Sequence, residues 1–229
     1  MSHEIYELLS KHFGRRSHWE KLTTNWKSLR REFRKPFSNL LITLLSQNTS
    51  DLSALRAYEN LKQFGLTTVD SIAKADPNTL GRAIAIAGLQ RRRTKLLKRL
   101  VKYLKQHFDG DASKLCELSR KELKKIPGVG DKTADVFLSY VCERDEAIVD
   151  RNIKRVLIRL GLGKESSSYG ELKKALEQLA PEGKRRRMHE LLLMLGREIC
   201  KSRNPRCTSC PIRNFCAHGR RFKCSHEIK

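Results

Sequence analysis

Residues 119–141 read SRKELKKIPGVGDKTADVFLSYV, and this stretch indicates the architecture of the chain. Its spacing predicts a short helix, a tight turn and a second helix. Ser119 and Glu122 stand three residues apart, as in a capping box that begins a helix. Gly128 and Gly130 then permit a turn that residues with a Cβ atom would strain, and they expose backbone N–H groups.

The turn residue Val129 and the second helix, which begins at about Asp131, predict a site for an anion. The free N–H groups and the positive dipole end of that helix face the same way. This arrangement suits a phosphate oxygen, and a phosphate contact binds a nucleic-acid backbone without reading its base sequence. Many helical hairpins contain a Gly-x-Gly turn, so the turn alone does not identify a function.

Helical periodicity extends outward from this hairpin in both directions. After Pro36, apolar residues recur at helix spacing, and a basic amphipathic helix is predicted from about Arg91 to His107. Further helices are predicted over about 131–142, 151–161, 169–179 and 184–200. No stretch shows convincing period-two alternation, so the predicted fold class is all-α.

The charge balance narrows the choice of partner. The 229 residues include 48 Lys and Arg against 25 Asp and Glu, a formal net charge of +23. Such an excess costs self-repulsion and usually serves a polyanionic partner, most often nucleic acid. A ribosomal or chromatin protein would be equally basic, so the charge does not indicate the activity.

The lack of a secretion signal or membrane segment, together with the cysteine content, predicts an intracellular protein with no membrane association. No run approaches the roughly 18 apolar residues of a membrane helix, and the N-terminus lacks the apolar core of a secretion signal. In a reducing compartment, seven cysteines favour metal or cluster binding over disulfides. Cys116 and Cys142 are expected to be plain core residues, and Cys224 has no assigned role.

Four cysteines near the C-terminus have the spacing of a metal or cluster site. Cys200, Cys207, Cys210 and Cys216 follow the pattern C-x6-C-x2-C-x5-C. Four thiolates this close in sequence can complete a tetrahedral metal shell or hold an iron–sulfur cluster. The cysteines alone therefore leave zinc open as an alternative.

Five features of the chain occur in the order that is typical of one family. They are the helix that starts with Pro36, the IAGL turn at 86–89, the string IPGVGDKTA at 126–134, a Val-Asp pair ending at Asp150, and the cysteine loop. Over nearly its whole length the chain resembles the endonuclease III family of helix-hairpin-helix DNA glycosylases. On these motifs it is identified as a member.

The resemblance implies two helical lobes with a DNA-binding groove between them. A six-helix barrel domain over 29–140 ends in the helix-hairpin-helix at about 119–141. Residues 1–28 and 141–229 form the second domain, which holds a [4Fe-4S] cluster in the loop 200–216. In this family the cluster is structural and docks DNA, remote from the reaction.

The resemblance also implies two catalytic residues. Lys132 stands where bifunctional family members carry their nucleophile, and Asp150 lies 18 residues later, at the family's distance. An uncharged amine can displace the base by attacking C1′ of the sugar, and a carboxylate stabilises the positive charge that develops there. Without this context, Lys132 would be read as a phosphate contact and Asp150 as a helix N-cap. Asp150 can serve both roles, because capping leaves one oxygen free.

Two loops correspond to those that open the duplex in this family. In SQNTSD, either Gln47 or Asn48 is expected to fill the gap left by the extruded base. In AGLQRRR, Leu89 matches an intercalating leucine, a recurrent device for kinking DNA. The alternative for Leu89 is packing at a helix end after Gly88.

Basic residues beside these loops are expected to bind phosphates. One such group is formed by Arg91, Arg92 and Arg93. Lys201 and Arg203 lie in the cysteine loop, where they are expected to face DNA. A solvated surface role is the alternative for each arginine of the first group.

The resemblance predicts a bifunctional DNA glycosylase and abasic-site lyase of base excision repair that acts as a monomer on double-stranded DNA. It would remove oxidised pyrimidines and cleave 3′ to the abasic site by β-elimination through a lysine imine. One departure is Asn152, where endonuclease III proper tends to have His. An Asn is typical of mismatch-specific branches, which generally lack the catalytic lysine. The alternatives are therefore a mismatch-specific glycosylase for uracil, thymine or adenine, a non-catalytic DNA-binding module, and a zinc-binding regulator.

Overall fold

The computed structural model describes residues 2–17, 20, 23 and 26–221. No strand occurs among these residues, and the all-α prediction is confirmed. The helices are α1 (Ser2–Phe13), α2 (Trp26–Arg34), α3 (Pro36–Leu45), α4 (Asp51–Gln63), α5 (Val69–Lys74), α6 (Pro77–Ile84), α7 (Gln90–Phe108), α8 (Arg120–Leu123), α9 (Asp131–Tyr140), α10 (Arg151–Leu160), α11 (Tyr169–Leu179), α12 (Arg185–Glu198) and α13 (Ala217–Arg221).

Contacts divide the chain into two compact units. Met1–Lys21 with Asp145–Lys229 forms one, here called the terminal unit, and Leu22–Arg144 forms the other, here called the central unit. The sequence prediction set the corresponding limits at 28/29 and 140/141. The hairpin at 119–141 belongs to the central unit, and the cysteine loop at 200–216 belongs to the terminal unit.

The central unit is built around α3, whose residues from Ser38 to Leu45 are all buried. This helix packs against α2, α4 and α9. Local signals set the boundaries of its neighbours. Pro36 occupies the first turn of α3, and the Ser50 hydroxyl accepts the Ser53 N–H at 3.0 Å to begin α4. Because α3 leads directly into residues 46–50, its burial fixes where that loop begins.

The terminal unit has its own apolar core. Ile5, Leu9 and Phe13 recur along one face of α1, and all three are buried. They pack with buried residues of α10, α11 and α12, including Leu157 and Leu191. Cys200, Cys210 and Cys216 lie against the same core, so the cysteine loop is anchored on packed helices.

A disulfide joins Cys116 to Cys142 in the central unit, with their Cα atoms 5.3 Å apart. The expectation that these are plain core cysteines is therefore wrong. Cys116 lies in the 3-10 turn Ala112–Glu117, and Cys142 lies two residues beyond α9. The two thiols are brought together only by the folding of the intervening hairpin, which a sequence pattern does not report.

None of the described helices combines the length and the apolar character that crossing a bilayer requires.

Candidate nucleic-acid interface and catalytic residues

The predicted hairpin is formed by α8, the turn and α9, and its capping box is confirmed. Glu122 N–H donates to the Ser119 hydroxyl at 3.3 Å, and Ser119 N–H donates to Glu122 Oε2 at 2.8 Å. Gly128 has φ +84°, and a Cβ atom there would lie 2.9 Å from Leu44 Cδ2. Gly130 has φ −94° and open space around it. Only Gly128 is therefore required as glycine by the turn itself.

Gly130 instead shapes the start of α9. It is the N-cap residue and has no side chain with which to cap the first N–H groups of the helix. Val129, on its other side, is buried and anchors the turn. The N-terminus of α9 is thus open on the glycine side, as the predicted phosphate site requires.

An ionic network holds the two helices of the hairpin together. Arg120 Nε donates to Asp135 Oδ1 at 2.7 Å, and its Nη2 donates to Asp135 Oδ2 at 3.1 Å and to Asp131 Oδ1 at 2.9 Å. Lys124 Nζ lies 2.6 Å from the same Asp131 oxygen. The hydrogen bond from Lys124, with a further one from Arg120, lowers the pKa of Asp131. Asp131 therefore bears its charge beside two cations, which both contact its Oδ1.

Lys132 follows Asp131 at the start of α9, and its side chain is exposed. Among the residues that the structure describes, no ion pair or hydrogen bond engages its Nζ atom. The adjacent carboxylate is already bound to Arg120 and Lys124. The amine is therefore accessible to a ligand that approaches the open end of α9.

Asp150 is the N-cap residue of α10 and is half-buried. Its Oδ1 accepts the Ile153 N–H at 2.8 Å. Its Oδ2 accepts from Asn152 Nδ2 at 3.1 Å. The expectation that capping leaves the second oxygen free is wrong, because the Asn152 amide reaches back two residues to bind it.

Asn152 is itself held by Arg155. Asn152 Oδ1 accepts from Arg155 Nη2 at 3.0 Å. The same guanidinium donates to Gly196 O at 2.7 Å and to Cys200 O at 2.9 Å. A Cβ atom on Gly196 would lie 2.9 Å from Asn152 Cβ, so the glycine permits this close approach. A continuous chain of hydrogen bonds thus runs from the Asp150 carboxylate to the backbone of the first cysteine of the loop.

The two loops proposed to open the duplex both carry an exposed residue in the left-handed region. Asn48 has φ 56° and Leu89 has φ 51°. Leu89 is 56% exposed, which argues against helix-end packing as its role. Gln47, by contrast, donates through Nε2 to Gly128 O at 3.0 Å and is half-buried. Of the two residues that the sequence left open, Asn48 is the one that presents its side chain outward.

A cleft of about 440 Å³ in the central unit joins these loops to the hairpin. It is lined by Gln47, Asn48, Leu89, Arg92, Arg93, Lys95, Leu96, Arg99 and Gly128. Arg92, Lys95 and Arg99 are exposed along one face of α7, and no acidic partner binds them within the described part of the chain. The cleft therefore presents a positive wall next to both loops.

The three consecutive arginines at the start of α7 do not share one role. Arg91 and Arg92 are exposed. Arg93 is only 5% exposed, and its guanidinium is bound to backbone carbonyls. The expectation that Arg93 contacts phosphate is wrong, because the helix turns this third position toward the interior.

Cys200, Cys207, Cys210 and Cys216 line one small pocket in the terminal unit. Arg159 Nη1 donates to Cys200 Sγ at 3.2 Å, and Gly219 N–H donates to Cys216 Sγ at 3.3 Å. Burial raises the pKa of Cys210 to about 11, so its thiolate needs positive charge nearby. In the described ranges no group of three or more His, Cys, Asp or Glu side chains converges as a metal-ion shell.

The surroundings of this pocket fit a thiolate-bound cofactor. N–H donors directed at cysteine sulfurs are a recurring feature of iron–sulfur sites. Gly219 lies against Arg213 and Cys216, where a Cβ atom would be 3.3 Å from each, so a larger residue would crowd the loop. Cys224 lies outside the described residues.

Arg159 also fixes the segment that follows the first cysteine. Its guanidinium donates to Lys201 O at 2.7 Å and to Ser202 O at 3.1 Å. The side chains of Lys201 and Arg203 are exposed. Lys201 and Arg203 are thus exposed on a segment whose backbone Arg159 binds. This lowers the entropy that the segment loses when it binds an anion.

Comparisons with known proteins bear on what these sites do. A family model described as HhH-GPD superfamily base excision DNA repair protein matches residues 41–182. Endonuclease III of Sulfolobus acidocaldarius is 36% identical over 186 residues, which cover 81% of this chain and 83% of that protein. The chain belongs to the endonuclease III family. As a family member it is a base excision repair DNA glycosylase and binds DNA.

Solved structures of endonuclease III share the fold of this family member. A non-covalent endonuclease III–DNA complex aligns with a TM-score of 0.78 and 26% identity, covering 94% of this chain and 93% of that one. A trapped endonuclease III–DNA covalent intermediate aligns with a TM-score of 0.74 and 27% identity, covering 85% and 93%.

The sequence did not indicate that three arginines of this endonuclease III family member bind backbone carbonyls. Arg93, Arg155 and Arg159 all donate to backbone carbonyls at loop ends. The helical position of each could have indicated an inward direction. The most distant carbonyl partners of Arg93, Arg155 and Arg159 lie 49, 45 and 43 residues away, so no local sequence pattern reports them.

Proposed function

We propose that this endonuclease III family member is a bifunctional DNA glycosylase and abasic-site lyase. Its substrate is double-stranded DNA with a damaged, oxidised pyrimidine or an abasic site, and it acts as a monomer. Lys132 is the nucleophile and Asp150 the carboxylate that assists it. The observation that carries the proposal is the exposed Lys132 amine at the open N-terminus of α9, beside an Asp131 that other cations already bind.

The proposed chemistry begins with an uncharged Lys132 amine placed beside the backbone of the DNA substrate. Nζ of Lys132 forms a bond to C1′ while the bond from C1′ to the base breaks, and the base leaves with a proton. Opening of the sugar ring produces an imine between Nζ and C1′. The imine acidifies the hydrogen on C2′, and loss of that proton breaks the C3′–O bond, so the 3′ phosphate leaves.

Asp150 has the properties of a residue that stabilises positive charge at C1′. Its two oxygens accept hydrogen bonds from Ile153 N–H and the Asn152 amide, which hold the carboxylate in one orientation. Lys132 lies in the central unit and Asp150 in the terminal unit. Their joint action on one sugar is part of the proposal.

Base extrusion requires side chains that take the place of the base. We propose Asn48 and Leu89 for this role, supported by their exposure and left-handed backbone on the rim of one cleft. Gln47 then has a structural role, because its Nε2 donates to Gly128 O in the turn of the hairpin. Arg91, Lys201, Arg203 and the Gly128–Gly130 turn provide phosphate contacts.

We propose that the four cysteines hold a [4Fe-4S] cluster. The cluster supplies structural cross-linking of the loop. Arg159 and Gly219 would donate hydrogen bonds to its cysteine sulfurs, and Arg159 would also keep Lys201 and its neighbours in place. Iron and sulfide content, with broad visible absorbance, would support this assignment, whereas a colourless protein with stoichiometric zinc would contradict it.

A second candidate function rests on Asn152. Its amide, which replaces the His expected in endonuclease III proper, donates to Asp150. The sequence pattern of mismatch-specific branches includes such an Asn. A substrate panel distinguishes the two functions, because the leading proposal expects excision of thymine glycol and the second expects excision of uracil or thymine opposite guanine.

Borohydride trapping on a labelled duplex with one abasic site tests the lyase proposal. The parent protein and the control Lys121→Ala, an exposed lysine of the same hairpin, should both form a covalent adduct. Lys132→Ala should form none, while its affinity for the duplex stays within a few-fold of the parent value.

Two outcomes would contradict the proposal. An adduct with Lys132→Ala from a clean preparation would remove Lys132 as the nucleophile. No adduct from a folded, iron-containing, DNA-binding parent would leave a monofunctional glycosylase, with Lys132 as a phosphate contact.

A further inference from the structure

Arg93 forms a buried bridge between two loops that are far apart in sequence. Its Nη1 donates to Leu44 O at 2.7 Å and its Nη2 to Gln47 O at 2.6 Å, at the end of α3. Its Nε donates to Gly88 O at 2.9 Å, and Nη2 also donates to Ala87 O at 3.2 Å, after α6. One guanidinium thus binds four carbonyls from two loop ends.

Two of these carbonyls belong to the residues directly before the exposed left-handed residues. Gln47 precedes Asn48, and Gly88 precedes Leu89. Positive φ costs free energy for a residue with a Cβ atom, more for Leu89 than for Asn48, so neighbouring contacts are needed to hold it. Arg93 supplies such contacts to both peptides at once.

The site is built for a guanidinium in particular. Arg93 is 5% exposed, and no acidic side chain pairs with it among the described residues. Burial lowers its pKa, and the carbonyl ends of α3 and of the 3-10 turn Ala85–Ala87 supply the compensating negative dipole ends. Lys has a single ammonium on a flexible stem, so it cannot satisfy carbonyls on both sides with the geometry of a planar fork.

We propose that Arg93 is a positioning residue for duplex opening. Its guanidinium sets the separation and the direction of Asn48 and Leu89, so that both enter the base stack as one rigid unit. This inference rests on the proposed function, because it assigns a role to the two residues proposed to replace the extruded base.

The role predicts a loss that depends on the substrate. Extruding a paired base requires both inserted side chains, whereas a lesion that faces an abasic analogue is already unpaired and needs little help. Losing Arg93 should therefore slow excision from a fully paired duplex and leave excision from the unpaired one nearly unchanged. A general loss of folding would slow both equally.

Single-turnover excision of thymine glycol from the two duplexes tests this. Arg93→Lys should be slowed at least tenfold on the paired duplex and no more than about twofold on the unpaired one. Leu104→Ala, a buried core change on the same helix, is the control for lost stability, and Arg82→Lys is the control for an exposed arginine. Both controls should affect the two substrates to the same extent.

A variant cycle separates positioning from other roles. In a background of Asn48→Ala and Leu89→Ala, adding Arg93→Lys should produce no further loss, since the side chains to be positioned are gone. An additive loss, or equal slowing on both duplexes, would overturn the proposal.

Fluorescence of 2-aminopurine opposite an abasic site provides a readout without turnover. Parent protein should increase this fluorescence on binding, and Arg93→Lys should do so less. This measurement stays informative if Lys132 proves not to be the nucleophile, so failure of the lyase proposal and failure of the Arg93 proposal are distinguishable. An unchanged fluorescence increase with Arg93→Lys would overturn the inference.

Discussion

At Asp150, orientation depends on a neighbour that the family pattern would not supply. The Asn152 amide donates through Nδ2 to Asp150 Oδ2, and its Oδ1 accepts from Arg155 Nη2. The Arg155 guanidinium also donates to Gly196 O and Cys200 O, so the amide is held in one orientation. A hydrogen bond to a charged group contributes about 1.5–3 kcal/mol. The Asp150 carboxylate is therefore oriented by Asn152 directly and by Arg155 through Asn152.

We expect Asn152→Leu to lower the single-turnover rate of base excision by about 10- to 100-fold, which is the loss of one such hydrogen bond. Asn152→His keeps a donor and should recover part of the rate. Duplex affinity and melting temperature check that folding is intact. Equal activity of Asn152→Leu and the parent would show that Asp150 needs no help from residue 152.

At the scale of secondary-structure elements, the hairpin depends on two glycines for different reasons. Gly128 combines positive φ with a Cβ position 2.9 Å from Leu44 and 3.0 Å from Leu96, both on neighbouring helices. Gly130 has ordinary φ and open space, and it lies at the start of α9. Gly128 therefore allows α3 and α7 to pack closely against the turn. Gly130 instead leaves the N-terminus of α9 accessible.

Gly128→Ala should reduce the free energy of unfolding by about 1–3 kcal/mol, because it adds both strain and overlap. Gly130→Ala should change it by less than about 0.5 kcal/mol, as expected for an exposed site, and should instead weaken duplex binding. Denaturant unfolding and equilibrium binding measure the two quantities. Similar unfolding curves for both variants would contradict this division.

At the scale of the whole molecule, stability includes a covalent constraint within the central unit. The disulfide between Cys116 and Cys142 spans a sequence separation of 26 residues and encloses the hairpin. Closing a loop of this length removes conformational entropy from the unfolded chain. The segments on either side of the hairpin are therefore joined covalently.

Replacing both residues, Cys116→Ser with Cys142→Ser, should lower the free energy of unfolding by about 3–4 kcal/mol through this loss of constraint. Adding a thiol reductant should reduce the parent to the same stability and leave the double variant unchanged. Iron content should be the same in both, because the cysteine loop lies in the other unit. A parent protein that is insensitive to reductant and matches the variant would rule out a stabilising disulfide.

Local sequence was sufficient for the elements and for the family. The capping box at Ser119 and Glu122, the N-cap at Asp150 and the glycine turn all depend on residues within a few positions of one another. Helical periodicity then indicated an all-α chain, and the order of motifs indicated the endonuclease III family. These features follow from the sequence because their interactions are short in sequence separation.

Tertiary structure decided the roles of residues whose partners are distant. Arg93 resembles Arg91 and Arg92 in sequence, yet it is buried and binds carbonyls at the end of α3. Gln47 and Asn48 are adjacent, yet one binds Gly128 and the other is exposed. The pairing of Cys116 with Cys142 likewise depends on the path of the intervening helices. A local pattern contains helix periodicity and caps, but only the packed chain determines which carbonyl or thiol a side chain meets.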